Sequence, residues 1–365
     1  MILHLYFARR FARVFLLMTF VLFALSVLVD LVDQARRFSE IDIGFDRLLV
    51  LALLSTPDTI NQILPLIMIL STVAMFLGLA RTSELVATRA AGRSGIRALM
   101  APVAVALIIG GLAVTMLNPI VAGTSKRYAA LSENYRSGGA SAFAVSDEGL
   151  WLRQGGEQGQ TVIRAWRSNA DATVLYDVTF LSYAPDGGPV QRIQAQSAAL
   201  SDGNWELNNA KVWPLKVGLN AEGNSVVHET LMLPSSLTLD RIRESFGKPG
   251  AVSIWNMPRF IAQLEQAGFS ARQHRVYFHS ELARPLFLMA MVLVASAFTM
   301  RHVRLRGTGF SVMTAILLGF GLYFVRSFAH ILGENGQIPI LLAAWAAPVA
   351  AVLLALGLLL HAEDG

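Results

Sequence analysis

The sequence predicts an α-helical membrane protein with six transmembrane helices and an inserted all-β, jelly-roll-like domain, and two observations carry that expectation. Apolar residues make up 54% of the 365 positions and charged ones only 15%, with a mean hydropathy of +0.51, too apolar for an ordinary soluble domain. They gather in long runs towards both ends, whereas the middle of the chain has a soluble composition and strand-like alternation.

The runs fall at about 14–33, 58–80, 98–118, 280–300, 309–329 and 339–360. Each is close to the ~20 residues a helix needs to cross a hydrocarbon core of about 30 Å. The first follows a basic start, Arg9, Arg10 and Arg13, and no small-x-small cleavage site comes after it, so a retained helix is expected. Pro65 can kink the second run where neighbouring helices satisfy the freed carbonyl. Arginines recur in alternate loops: Arg81, Arg89, Arg93 and Arg97 after the second run, and Arg301, Arg304 and Arg306 after the fourth. The cytoplasmic bias of such residues puts both termini inside and the insertion outside.

Within the insertion, strands are expected over about 141–239. Val174, Tyr176, Val178 and Phe180 should share one face at period two, and Asp186-Gly187-Gly188-Pro189 and Asp202-Gly203-Asn204 mark turns. Short strands with no helical period suggest an antiparallel sandwich or jelly roll. Helical periodicity returns near 257–267. The expected organisation is therefore 1–118 with three spans and a short helix at about 82–92, 119–278 as the insertion, and 279–365 with three more spans.

Several chemistries are excluded or weakly supported. There is no cysteine, hence no disulfide and no thiolate catalysis. The phosphate-cradling pattern G-x-x-x-x-G-K-[ST] is absent; its nearest fragment, Gly247-Lys248-Pro249, lacks both the first glycine and the hydroxyl. His274 and His279 stand five apart, a poor fit to one helix face, so neither metal nor other cofactor is expected. Gly92-Arg93-Ser94-Gly95 is a turn in a basic loop rather than a nucleophile, and no catalytic residue is assigned. The net charge of +5 and pI near 9.7 follow largely from the basic loops, so no nucleic-acid partner is implied.

Charges at membrane depth are costly and point to function, or else to snorkelling and helix–helix pairing. Asp30 and Asp33 end the first span, Glu281 and Arg284 open the fourth, and Arg326 and His330 end the fifth. Arg36 and Arg37 lie just outside the first span, where an arginine pair suits either phosphate or lipid-headgroup anchoring. In the run Arg81 to Gly92, Ser83 can cap a short helix, Glu84 suits its positive end and Gly92 can close it. Such a helix is either a plain connector or a docking element for a partner.

Four elements occur in order along this six-span layout: Val32-Asp33-Gln34 with Arg36-Arg37, Ser83-Glu84-Leu85 leading to Ala90-Ala91-Gly92, Asn134-Tyr135-Arg136, and Glu148-Gly149-Leu150-Trp151. Together they resemble the LptF/LptG permease family of lipopolysaccharide export, with the Val-Asp-Gln and Gly-Leu-Trp elements closer to the LptG branch. The resemblance implies a non-enzymatic permease subunit of an ABC transporter in a Gram-negative inner membrane, with the β domain in the periplasm. It implies an LptF-type partner permease, an LptB-type ATPase dimer and an LptC-type periplasmic bridge that receives the lipopolysaccharide.

It also assigns residues. Coupling to the ATPase falls on the helix carrying Ser83, Glu84, Leu85, Arg89 and Gly92, and phosphate contacts fall on Arg36 and Arg37, with Arg136 carried over from the Asn-Tyr-Arg element. Arg326 with Phe320, Tyr323 and Phe324 would line the lipid cavity, or simply pack the fifth span. Asp30 and Asp58 depart from the pattern, standing where some members carry lysine. The alternative, an ion-gradient-driven transporter of an amphipathic or anionic lipid, calls for acidic or broken-helix sites near the midplane. Here the acidic residues lie towards the helix ends.

Overall fold

The computed structural model describes residues 2–39, 43–90, 95–137, 143–146, 149–156, 159–168, 174–184, 188–201, 203–215, 220–235, 249–266, 270–300 and 308–364. The helices are α1 (Ile2–Arg37), α2 (Phe45–Arg81), α3 (Glu84–Ala90), α4 (Gly95–Leu112) and α5 (Asn118–Ser137), with a π-helical turn, Ala113–Leu117, between the last two. Seven strands follow, β1 (Phe143–Ser146), β2 (Gly149–Gly156), β3 (Gly159–Ser168), β4 (Val174–Tyr183), β5 (Pro189–Ser201), β6 (Asn204–Pro214) and β7 (Val226–Pro234). The remainder is α6 (Met257–Gln266), α7 (Arg272–Leu282), α8 (Arg284–Thr299), α9 (Thr308–Glu334) and α10 (Ile340–Asp364).

Five helical stretches are long and apolar enough to cross a membrane, and α7 with α8, bent by 48°, makes a sixth if the pair is one span. The chain divides into two compact units: residues 1–132, 250–255 and 272–365 form one, and 133–249 with 256–271 the other.

In the helical unit α8 is the axis. It packs on α2, α4, α9 and α10, and its Phe287, Leu288, Met291, Val292 and Val294 are fully buried. Glycine permits close helix approaches: a Cβ on Gly110 of α4 would lie 2.5 Å from Pro285 Cα, and one on Gly333 of α9 would lie 2.4 Å from Ala343 Cβ on α10. A side chain at position 110 meets backbone and would push α4 from α8.

The second unit is built on an antiparallel sheet, as expected, and its strands follow one another in the order β1 to β7. One face is buried, with Ile163, Phe180, Ile193, Trp205 and Leu207 at its centre; the Phe180 and Trp205 rings meet edge to face at 6.0 Å. The amphipathic α6 places Met257, Ile261 and Leu264 on its buried side, at helical spacing, and packs beside β1.

The face assignment of β4 differs from the period-two expectation. Val178 and Phe180 point inward, but so does Leu175, while Tyr176 is 40% exposed. The phase slips by one residue at Asp177, whose φ is +53°. The slip is concerted. Buried positions also change parity in β6, from Trp205 and Leu207 to Ala210, across Asn209 at φ +51°. Ala195 and Ala198 show the same change in β5 across Gln196. Asp177, Gln196 and Asn209 lie on one row across the sheet, and the Asn209 amide donates to Gln196 Oε1 at 3.0 Å. Because neighbouring strands take the extra residue together, the pairing offset is the same on both sides of the row, as Ala165↔Val178 and Arg167↔Tyr176 show. A bulge on one strand alone would displace the register.

Asn and Asp are the non-glycine residues that best tolerate this backbone region. Asp177→Val should therefore destabilise the β unit by about 1–2 kcal/mol, and Asp177→Gly should leave it intact. Limited proteolysis of the two purified full-length variants checks this, with faster cleavage within 143–234 expected for the valine form alone.

Candidate transport and coupling sites

Two helical breaks meet in the membrane unit. Pro119 has no N–H, so the Thr115 carbonyl one turn earlier loses its helical donor. The chain widens into the π turn there, and the Trp255 indole donates to that carbonyl at 3.2 Å. Asn118, fully buried, accepts the Ile254 backbone N–H at 2.8 Å and donates to the Tyr277 hydroxyl at 2.9 Å and to Glu281 at 3.4 Å. Glu281, buried in α7, is ion-paired with Arg284, which also donates to the Asn61 side chain and, at 3.4 Å, to the Asn61 carbonyl on α2. The pair lies at the α7–α8 bend, where Pro285 withholds its own N–H from the carbonyl of Glu281.

Arg326 joins this region from α9. Its guanidinium stacks 5.0 Å from the Phe287 ring centre and donates to the Ser280 carbonyl at 3.5 Å. His330, one turn on, contacts Ser280 Oγ at 3.0 Å and Glu334 at 3.3 Å. Phe320 and Tyr323 do come together, in an apolar cleft between α2 and α9 whose α2 wall is Gln62, Ile63, Pro65, Leu66 and Ile69. Phe324, 70% exposed, faces outward from α9.

At the far end of α1, Arg36 and Arg37 are both exposed. Arg37 donates to the Tyr128 hydroxyl of α5 at 3.0 Å, and Tyr128 donates to the buried Gln34 at 3.1 Å. That bond uses one of the five guanidinium N–H groups. Asp30 has a different setting: hydroxyls of Ser55, Thr56 and Thr59 on α2 lie 3.1, 3.3 and 3.5 Å from its Oδ2, the first two sharing their protons with the Ala52 carbonyl at 2.9 and 2.7 Å. Asp58 accepts from Gln62 at 3.0 Å. Asp30 is thus a fastening between α1 and α2.

The short helix α3 begins at Glu84, as its sequence suggests. Ser83, at φ +57°, precedes it, and the Ser83 carbonyl accepts the Ala87 N–H at 3.0 Å. Glu84 is held from three sides: Tyr6 Oη donates at 2.7 Å, Arg10 Nη1 at 2.7 and 2.9 Å, and Thr82 Oγ1 at 2.7 Å. The Tyr6 hydroxyl above all, then Thr82 and Arg10, hold the Glu84 carboxyl well below its usual range, at about 2, against partial desolvation. Gly92 and the side chains of Leu85, Arg89 and Arg136 lie outside the described residues.

Sequence reasoning missed Tyr6, Thr82, Asn118 and Tyr128, and counted Arg10 only towards the charge bias. The one local signal was the four-residue spacing of Tyr6 and Arg10, which puts both on one helix face.

A family model described as lipopolysaccharide export system permease LptF/LptG matches residues 5–361. The lipopolysaccharide export system permease protein LptG of Haemophilus influenzae is 24% identical over 331 residues, which is 88% of this chain and 86% of that protein. The protein of the same name from Escherichia coli K12 is 22% identical over 311 residues, 83% and 82% of the two chains.

Two outcomes are expected from this geometry. Asn118→Ala strands the buried Ile254 N–H, and the loss of about 1–3 kcal/mol should appear as a lower melting temperature of the detergent-purified chain. For Glu84 the folded value is depressed, so its contribution is complete above about 4.5 and is lost only as pH falls through about 2. Hydrogen exchange of the α3 amides, corrected for intrinsic rate, should therefore not change between about pH 8 and about pH 6, while Glu84→Gln raises it several-fold at either pH.

Proposed function

The chain belongs to the LptF/LptG family of lipopolysaccharide export permeases, and from that premise we propose that it is the LptG-type half of an ABC transporter. In this role it pairs with an LptF-type permease and sits on an LptB-type ATPase dimer. Lipopolysaccharide drawn from the outer leaflet of the inner membrane passes through the β unit to an LptC-type bridge in the periplasm. Both termini and α3 face the cytoplasm, consistent with arginines at 81, 89, 93, 97, 301, 304 and 306.

The observation that carries the proposal is the reach of the family match, residues 5–361, which takes in the spans, the α3 connector and the inserted sheet together. The physical logic agrees. Lipopolysaccharide has acyl chains that need apolar walls and phosphates that need bidentate cations. Exposed apolar side chains of α1 and α9, Leu17, Phe20, Leu28, Leu317 and Phe324 among them, supply the first, and Arg36 and Arg37 supply the second. ATP hydrolysed by the partner moves α3, and the paired permeases close on the lipid.

Affinity purification from the native membrane, with mass spectrometry of what accompanies the chain, tests the proposal. A P-loop ATPase, a second six-span permease and bound lipopolysaccharide are expected; a chain that arrives with no ATPase in any detergent overturns it. Within the assembled complex, alanine at both Arg36 and Arg37 should lower photo-crosslinking of lipopolysaccharide to the outer end of α1 by about tenfold, the loss of one or two charge-assisted contacts. Undiminished crosslinking would remove the arginines from the site.

A further inference from the structure

A helix seven residues long has little hold on its surroundings through its own hydrogen bonds, so what fastens α3 decides where a push on it goes. It follows α2 across only Thr82 and Ser83, yet its first residue is bonded mainly to α1. Four hydrogen bonds from three side chains converge on one carboxylate, those of Tyr6, Arg10 and Thr82. Arg10 Nη1 also donates to the Tyr6 hydroxyl at 2.5 Å, and its guanidinium carbon lies 5.8 Å from the centre of the Tyr6 ring. An isolated, exposed ion pair is a weak fastener, but here a single Nη1 faces both carboxylate oxygens, and the Tyr6 and Thr82 hydroxyls add neutral donors to the same group.

The surroundings keep this cluster in place. Phe7 and Phe11, interleaved with Tyr6 and Arg10 along α1, are buried at 2% and 0% exposure, which fixes the rotation of the helix. Arg10 Nη2 passes beside Gly78 of α2, 3.4 Å from where a Cβ would stand. From Arg10, α1 runs unbroken to Arg37, so the clasp and Arg36 are about 39 Å apart along one helix.

We infer that Tyr6 and Arg10 are positioning residues that clasp Glu84 and make α3 and the start of α1 move as one body. A displacement imposed on α3 then travels along α1 to the arginines at its other end. The inference rests on the proposal that α3 receives the ATPase; the clasp itself is a property of this chain alone.

The test uses the complete ATPase complex in proteoliposomes and follows, in one sample, ATP hydrolysed and lipopolysaccharide delivered to an acceptor. The ratio of lipid moved to ATP spent should fall about tenfold in Arg10→Ala and several-fold in Tyr6→Phe, and Arg10→Lys, which keeps the charge, should recover most of it. A wild-type ratio in an assembled Arg10→Ala complex overturns the inference. Should Arg10→Ala fail to assemble, Tyr6→Phe, which loses a single oxygen, decides in its place. A second readout needs no partner: in the purified full-length chain, Arg10→Ala should raise hydrogen exchange in α3 and the first turns of α1 together, and unchanged exchange in α3 overturns the clasp. Wild-type complexes that move no lipid on ATP addition would count against the transport proposal, while the exchange experiment still judges the clasp.

Discussion

Inside a bilayer no water can complete a broken backbone hydrogen bond, so every interruption of a spanning helix must be satisfied by its neighbours. Of the prolines in this chain's spanning helices, Pro119 and Pro285 lie at visible breaks, and the two breaks satisfy each other. Pro119 frees the Thr115 carbonyl, which the Trp255 indole takes up, and the adjoining Asn118 binds the backbone of Ile254 and the Tyr277 and Glu281 side chains of the other broken span. Pro285, which starts that second break, lies against Gly110, three residues before the π turn begins. A buried ion pair would ordinarily be a poor source of stability. Here Glu281 and Arg284 are braced by Asn118 and Asn61, so the charges tie α2, α5, α7 and α8 together at a bend.

The β unit answers a related constraint by a different device. A sheet with one buried face can change which residues face inward only if a strand gains or loses a residue, and a change on one strand alone costs register with its neighbours. Asp177, Gln196 and Asn209 form a crease on which adjacent strands change together. The pairing offsets are the same on both sides of the crease, and Leu175 below it and Phe180 above it both reach the core.

These arrangements explain what could and could not be seen in the sequence. The spans were legible because a bilayer demands ~20 apolar residues in a row, but hydropathy marks only the lipid-facing length. Residues 119–137 of α5 continue the helix in more polar sequence, the apolar run 48–54 of α2 lies outside the expected span, and the run at 280–300 concealed a bend at 282–284 whose first arm starts at Arg272. Alternation identified β4 and misplaced half of it, since nothing local distinguishes an aspartate in a strand from one in a left-handed conformation. Glu84 stood out because it opens a short helix beside basic residues. Its partners Tyr6 and Arg10 lie 78 and 74 residues away, and pairings at that distance have no local trace. Arg326 and Asp30 were equally visible as charges in apolar runs; only their contacts, an aromatic ring for one and three hydroxyls for the other, tell how each is held.

Asp30 completes a pattern in α1. The helix is fastened near its start through Arg10 and Tyr6 to Glu84, and near its end through Asp30 to α2 and through Gln34, Tyr128 and Arg37 to α5. Between these fastenings Leu16, Leu17, Phe20, Val21 and Leu25 are more than half exposed. Among the described residues, the side-chain hydrogen bonds from α1 to other helices lie towards its two ends. A lysine at position 30 would put a donor where the Ser55, Thr56 and Thr59 hydroxyls now face an acceptor. The aspartate therefore belongs to the same mechanical arrangement as Glu84, each carboxylate anchoring one end of a single stiff helix.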